Sequence, residues 1–355
     1  MHCLIKKQKY FLFIILVIIS NSTALIARSI HRPIDPLMPE INASWKGESV
    51  GYTLRNSHLE EYPYFKIFNK EYLDNYTLPD EPITYRNNEK QTVEGATLKK
   101  LIQRLLAEIK ARKQKFTDFI LLQEKDFNRT KGWGLIVLKF KNYPFVLKLF
   151  IETPKSFVNP FNKGIEPIFF FFMGGGVNRH LTGFTRIKNR EDVLEKLKSY
   201  PDWAQKIDVP RKWFWIPPES KWIVLKGKNI GPQGVQSIEI PGIYCLIADA
   251  IESDRKFSIG NVNDRRQALA LCNDMETLID PHIKNFMVEK KTGTLTIVDS
   301  EHFPSAVGLK SRKRFKTYTQ WYFHLMSKFF YDVCLRTKRE RRLAQTYGTG
   351  RYLTY

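Results

Sequence analysis

Between Phe116 and Ile151 three apolar runs, Phe116 to Leu122, Gly134 to Phe140 and Phe145 to Ile151, follow one another through turn-rich connections, Asn128-Arg-Thr-Lys-Gly-Trp-Gly134 and Lys141-Asn-Tyr-Pro144. Consecutive strand-like runs joined by short polar turns leave no room for the long crossover of parallel pairing, so this part of the chain is expected to fold as an antiparallel meander. The third run, Phe-Val-Leu-Lys-Leu-Phe-Ile, carries one residue out of character, Lys148. An ammonium taken out of water costs several kcal/mol unless it is paired. Lys148 therefore either snorkels to a sheet edge or meets anions such as a carboxylate and phosphates.

Upstream of the meander, Leu98, Leu101, Ile102, Leu105, Leu106 and Ile109 recur at helical spacing, which predicts an amphipathic helix over Val93 to Lys113 with a basic outer face. Downstream, Pro167 to Met173 is an aromatic run expected to form a buried strand, and Gly174-Gly-Gly176 a turn or close backbone approach. Arg190 to Ile207 reads as a helix broken or bent around Pro201, Trp213 to Ile216 and Lys221 to Leu225 as strands, and Gly227 to Gly234 as a break. Gly242 to Glu252 is an apolar strand passing into a polar segment, and a further helix covers Asn263 to Leu278 with Ala268, Leu269, Leu271, Cys272, Met275 and Leu278 inward.

That helix runs directly into Asp280-Pro-His-Ile-Lys-Asn285, the spacing D-x-x-x-x-N. A turn-rich stretch from Glu289 then leads into an alternating apolar run, Leu295, Ile297 and Val298, which delivers Asp299. Two carboxylates and an amide converge at a loop and a strand end. Oxygen ligands suit a hard cation such as magnesium on nucleotide phosphates, and a carboxylate beside them can orient or deprotonate an attacking hydroxyl. His282 is expected to act as a hydrogen-bonder within this loop.

The order of a strand meander with an embedded Lys148, a helix carrying Glu191 and Glu195, more strands, a helix, Asp280-Pro-His282-Ile-Lys-Asn285, and a strand ending in Asp299 resembles the protein-kinase-like superfamily. The catalytic-loop pattern is most similar to the aminoglycoside and choline phosphotransferase branch, and the resemblance spans Phe116 to Leu335. It implies an α+β, two-lobed fold, with an antiparallel-sheet N-lobe over residues 93–240 and a mainly helical C-lobe over 241–342. It implies further that Lys148 binds the α- and β-phosphates of ATP, that Glu191 or Glu195 pairs with Lys148, and that Asp280 acts on the acceptor hydroxyl. Asn285 and Asp299 would bind Mg²⁺, with Glu301 a further carboxylate on the metal side, and the strand from Ile243 to Ile251 would offer backbone groups to adenine. Asp299 is followed by Ser300-Glu301, position 278 is Leu where the family has His, and Lys131-Gly-Trp-Gly134 is the nearest approach to a glycine-rich loop. The implied activity is phosphoryl transfer to a hydroxyl of a small-molecule or protein acceptor; the alternative is an inactive pseudokinase serving as an exported binding or scaffold protein.

A chain of 355 residues has room for one large domain or two smaller ones. Its 57 Lys and Arg against 36 Asp and Glu favour anionic partners, and Lys310 to Arg342 alone carries eleven basic residues against Asp332 and Glu340. Nothing beyond charge points to nucleic acid, since no nucleic-acid-binding module is recognisable. The scattered Cys245, Cys272 and Cys334 lack the spacing of a zinc site or a disulfide framework. Residues 1–24 run basic, apolar and then small, the order of a signal peptide, so the body is expected to be exported, with contact to a membrane only through an uncleaved leader. Residues 25–92 read as an extended arm pinned by Tyr and Phe side chains, Tyr318 to Leu335 as an aromatic helix, and 343–355 as a loose tail.

Overall fold

The computed structural model describes residues 40–48, 51–55, 70–158, 180, 183–227, 237–275, 279–280, 282–300 and 314–321. In chain order its elements are β1 (Glu40–Trp45), β2 (Gly51–Arg55), α1 (Lys70–Asp74), β3 (Pro82–Tyr85), β4 (Asn88–Glu94), α2 (Gly95–Lys110), β5 (Phe119–Asn128), β6 (Trp133–Phe140), β7 (Phe145–Ile151) and α3 (Pro154–Val158). There follow α4 (Thr185–Leu197), α5 (Pro201–Ala204), β8 (Ile207–Asp208), β9 (Lys212–Trp215), β10 (Trp222–Gly227), β11 (Ser237–Pro241), β12 (Ile243–Asp249), β13 (Ser253–Lys256) and α6 (Val262–Asp274). A 3-10 turn (Ile283–Asn285), β14 (Phe286–Glu289) and β15 (Leu295–Ile297) complete them. The architecture is α+β with mostly antiparallel sheets.

The predicted meander is present as β5, β6 and β7, and the sheet is completed in the order β5-β6-β7-β12-β9. Lys148 is thus on an interior strand: Val137 of β6 lies opposite it on one side and Leu246 of β12 on the other. Alternation splits the faces of β7. Leu147 and Leu149 pack in one core with Leu98, Ile102, Leu105 and Ile109 of α2. Phe150 packs in another, with Tyr244, Leu246 and Phe214 and with Ala43, Ile223, Leu225 and Ile240 of a second sheet, β11-β10-β1-β2. A third sheet, β13-β14-β15-β8, is covered by α6, whose Ala268, Leu271 and Cys272 pack in one core with Phe286, Leu295 and Ile297.

Helix α4 joins these cores. Its Ile187 belongs with the five-stranded sheet, whereas Val193 and Leu197, nearly two and nearly three turns on, belong with the α6 core. This fixes α4 across the junction of two hydrophobic cores.

Several elements depart from expectation. The arm is more ordered than its lack of periodicity suggested: β1 and β2 enter the sheet with β10, β3 and β4 form a hairpin, and Leu78 N donates to Phe214 O (2.8 Å) at the free edge of β9. Backbone pairing, to which hydrophobic periodicity is blind, holds these segments. The helix expected over Arg190 to Ile207 begins earlier and stops at Leu197, because Pro201 starts a separate turn and Ile207 pairs with Leu295 as a strand. Just past the expected boundary near residue 240, β12 pairs on both sides, with β7 and with β9. The part after that boundary was expected to be mainly helical; its described residues hold α6 beside β12 to β15. The leader, the aromatic run with its triple glycine, most of Tyr318 to Leu335 and the tail lie outside the described residues.

Candidate functional site

The five-stranded sheet turns one face toward α4, and register places two lysines on it. Lys148 lies opposite Leu246, Leu246 opposite Phe214, and Lys212 lies two residues from Phe214 on β9. Helix α4 lays Arg186 and Asn189 over this face. The carboxylate that meets these cations is Asp299, beyond the end of β15. Its Oδ2 accepts from Lys148 Nζ at 2.8 Å and its Oδ1 from Arg186 Nε at 2.9 Å, across 151 and 113 residues of sequence. Ser300 is fastened from three directions: Lys212 Nζ donates to its Oγ, its Oγ donates to Arg186 O (2.6 Å), and its carbonyl accepts from Asn189 Nδ2 (3.0 Å). These bonds leave little freedom in the direction of Asp299.

Electrostatics follow from that packing. Burial by itself would raise the Asp299 carboxyl, but Arg186, Lys148 and Lys212 outweigh it and hold the group well below the usual carboxylate range. Burial drives the Lys212 ammonium well below its ordinary value, with Asp299 opposing the shift. Lys148 and Asp299 remain 21% and 26% exposed, whereas Arg186 is 2% exposed. The open side of the cluster is therefore Lys148 and Asp299, and Arg186 backs the carboxylate from within.

The Asp280 loop is bound to the same strand end. Asn285 O accepts from Val298 N (2.9 Å), the residue before Asp299. Asp280 Oδ1 accepts from His282 N (2.9 Å), and Asn285 Nδ2 donates to Asp280 O (3.2 Å), closing the loop on itself. His282 has the structural role expected of it, its Nδ1 accepting from Lys284 N (3.3 Å). Tyr318 braces the turn by accepting from Ile283 N (3.2 Å).

Of the anticipated residues, the fold brings Lys148 and Asp299 into contact and ties Asp280 and Asn285 into one loop joined to them. Glu191 and Glu195 do not take the expected place on Lys148. Glu191 Oε2 accepts from Tyr72 of α1 (2.9 Å), and Glu195 pairs with Lys198 on the exposed side of α4. The helix turns Arg186 and Asn189 inward, and Glu191 lies about 140° round the helix from Arg186 at 3.6 residues per turn. Glu301 lies outside the described residues. The backbone of β12 is engaged on both sides over Cys245 to Ala248, so any groups for an adenine ring must come from the segment after it. Arg186, Lys212 and Ser300 were missed; the faint signal was Lys212 in an apolar stretch, Lys-Trp-Phe-Trp, that repeats the oddity of Lys148.

The implied magnesium site can be tested on the donor set. Both oxygens of Asp299 are engaged by cations, and a dication placed there would sit beside an ammonium and a guanidinium. Among the described residues no group of three or more His, Cys, Asp or Glu side chains is placed to hold a metal ion. As arranged, these residues do not fit Mg²⁺. Scans of protein-family models, curated proteins and solved structures find no match to the chain.

Proposed function

We propose that the chain is a kinase-like protein that binds the phosphates of a nucleotide at Lys148 and transfers a phosphoryl group to a hydroxyl held near Asp280. The observation that carries this reading is the contact of Lys148 with Asp299, two residues chosen from separate motifs and brought together across 151 positions. A lysine on the third strand of a meander, a helix packed over it, and a carboxylate delivered just after a D-x-x-x-x-N loop form the group that phosphoryl transfer uses. Such transfer asks little covalent chemistry of a protein, so positioning and fixed charge suffice. Lys148 offers a partly exposed ammonium to the phosphates. Asp280, with one carboxylate oxygen fixed by His282 N, is set to accept the proton of the hydroxyl. The acceptor is a small molecule or protein bearing a hydroxyl, and the leader-like residues 1–24 support export.

A second reading, nucleotide binding without transfer as in a pseudokinase, is favoured by the two cations on Asp299. One experiment tests both: the thermal stability of wild type, Lys148→Met and Asp280→Ala with ATP, followed by ATP consumption with candidate hydroxyl acceptors. Wild type should gain a few degrees at ATP about 100-fold above Kd. Lys148→Met should lose that gain, and Asp280→Ala should keep it while ATP consumption falls about 100-fold or more. Stabilisation with no consumption leaves the pseudokinase reading, and no stabilisation of wild type by ATP refutes both.

A further inference from the structure

A phosphate chain approaching Lys148 must also approach Asp299, and a bare carboxylate there would repel it. A bound dication normally removes that conflict between a carboxylate and phosphates. Here the neutralising charge is built into the chain. Arg186 Nε contacts Asp299 Oδ1 at 2.9 Å from the buried side, leaving the accessible side of the carboxylate next to Lys148. The guanidinium is 2% exposed and cannot drift off into solvent. Its helix is anchored twice, by Ile187 in one core and by Val193 and Leu197 in another. Its own carbonyl accepts from Ser300 Oγ, and Asn189, one turn away, holds the Ser300 carbonyl. The guanidinium and the carboxylate are therefore positioned by one set of bonds.

Resting on the kinase-like reading above, we infer that this site takes the phosphates of a nucleoside triphosphate in metal-free form, with Arg186 standing at Asp299 where a divalent cation would otherwise be required. Arg186 is a positioning residue here: it does not reach the ligand, and acts by cancelling the charge of Asp299. An arginine keeps its charge at every accessible pH, so the cancellation is permanent. The mismatch between the donor set and Mg²⁺ follows from the same geometry.

The test is the affinity for ATP, measured by calorimetry in EDTA and in excess Mg²⁺, for wild type, Arg186→Gln and Arg186→Lys. Wild type should bind equally well in both, within about threefold, and Arg186→Lys should behave likewise because it keeps a cation. Arg186→Gln leaves Asp299 unneutralised, so its affinity in EDTA should fall about tenfold or more, and Mg²⁺ should restore it. A change in packing alone would weaken both conditions together and would not be rescued by the metal. Wild type that binds ATP only with Mg²⁺ overturns this inference and leaves the kinase-like reading standing, whereas wild type that binds in neither condition overturns both. Should Arg186→Gln fail to fold, titration of wild type with Mg²⁺ alone decides: no saturable heat is expected, and millimolar or tighter binding refutes the role given to Arg186.

Discussion

At the scale of single residues, the cluster around Asp299 illustrates how burial and pairing divide the work of setting charge. Burial alone would neutralise the carboxyl, and three cations keep it ionised. Glu152, just past the end of β7, is the opposite case. It is buried, its Oε2 has no hydrogen-bond partner among the described residues, and burial pushes its carboxyl up to about 8 against a weaker lowering by Ser156. A carboxyl with a raised folded-state value binds its proton in the native state while the unfolded chain has lost it. Stability is then complete below the unfolded value and falls as pH rises from 4.5 to about 8. Glu152→Gln should abolish this slope and should be the more stable protein at pH 8 by on the order of a few kcal/mol, read from urea melts at pH 5 and pH 8. Lys148 was legible as a residue needing an anion because its neighbours in sequence are apolar. Arg186 was not, because the groups it meets, the Asp299 carboxylate, the Ser300 hydroxyl and the Phe150 ring, lie far from it in sequence.

At the scale of elements, β7 and α2 were readable from periodicity, since each buries a regular face against the other: Leu147 and Leu149 meet Leu98, Ile102 and Leu105 in one core. The rotation of α4 was not readable. Its charged residues occur all round the helix, and whether Glu191 or Arg186 faces the sheet is settled by Ile187, Val193 and Leu197, which find partners only in the folded chain. The entry to α2 depends on a close approach. A Cβ on Gly95 would stand 1.9 Å from Pro79 O, while Gly95 N and Ala96 N donate to Glu81 O (3.1 Å) and Asp80 O (3.2 Å). Alanine would improve helix propensity by about 1 kcal/mol. The clash with backbone should cost more, so Gly95→Ala is expected to destabilise by roughly 1–2 kcal/mol net in chemical denaturation. A gain in stability would show that the approach relaxes at no cost.

At the scale of the whole molecule, the hairpin β3–β4 acts as a brace. Arg86, beside its turn, donates to both oxygens of Glu289 on β14 (3.1 and 3.0 Å) and also bonds Asp208 of β8. Asn87 and Thr292 complete the shell of Glu289, which has no solvent exposure. Removing one partner of a buried pair leaves the other charge uncompensated, so Arg86→Ala should cost about 3–5 kcal/mol and speed hydrogen exchange in β14 and β15 first. Unchanged exchange there would mean that the hairpin does not brace that sheet. The amino-acid order by itself determined the meander, the two main amphipathic helices, the unusual position of Lys148 and the Asp280 to Asp299 segment, because these follow from local period and turn chemistry. Tertiary structure alone decided that the N-terminal segment joins the sheets, that Arg186 and Lys212 enter the site, and that Asp299 lies between two cations. Those outcomes depend on backbone pairing and side-chain burial between residues far apart in sequence, 88 positions for Lys212 and Ser300 and 113 for Arg186 and Asp299, for which neighbouring residues carry no signal.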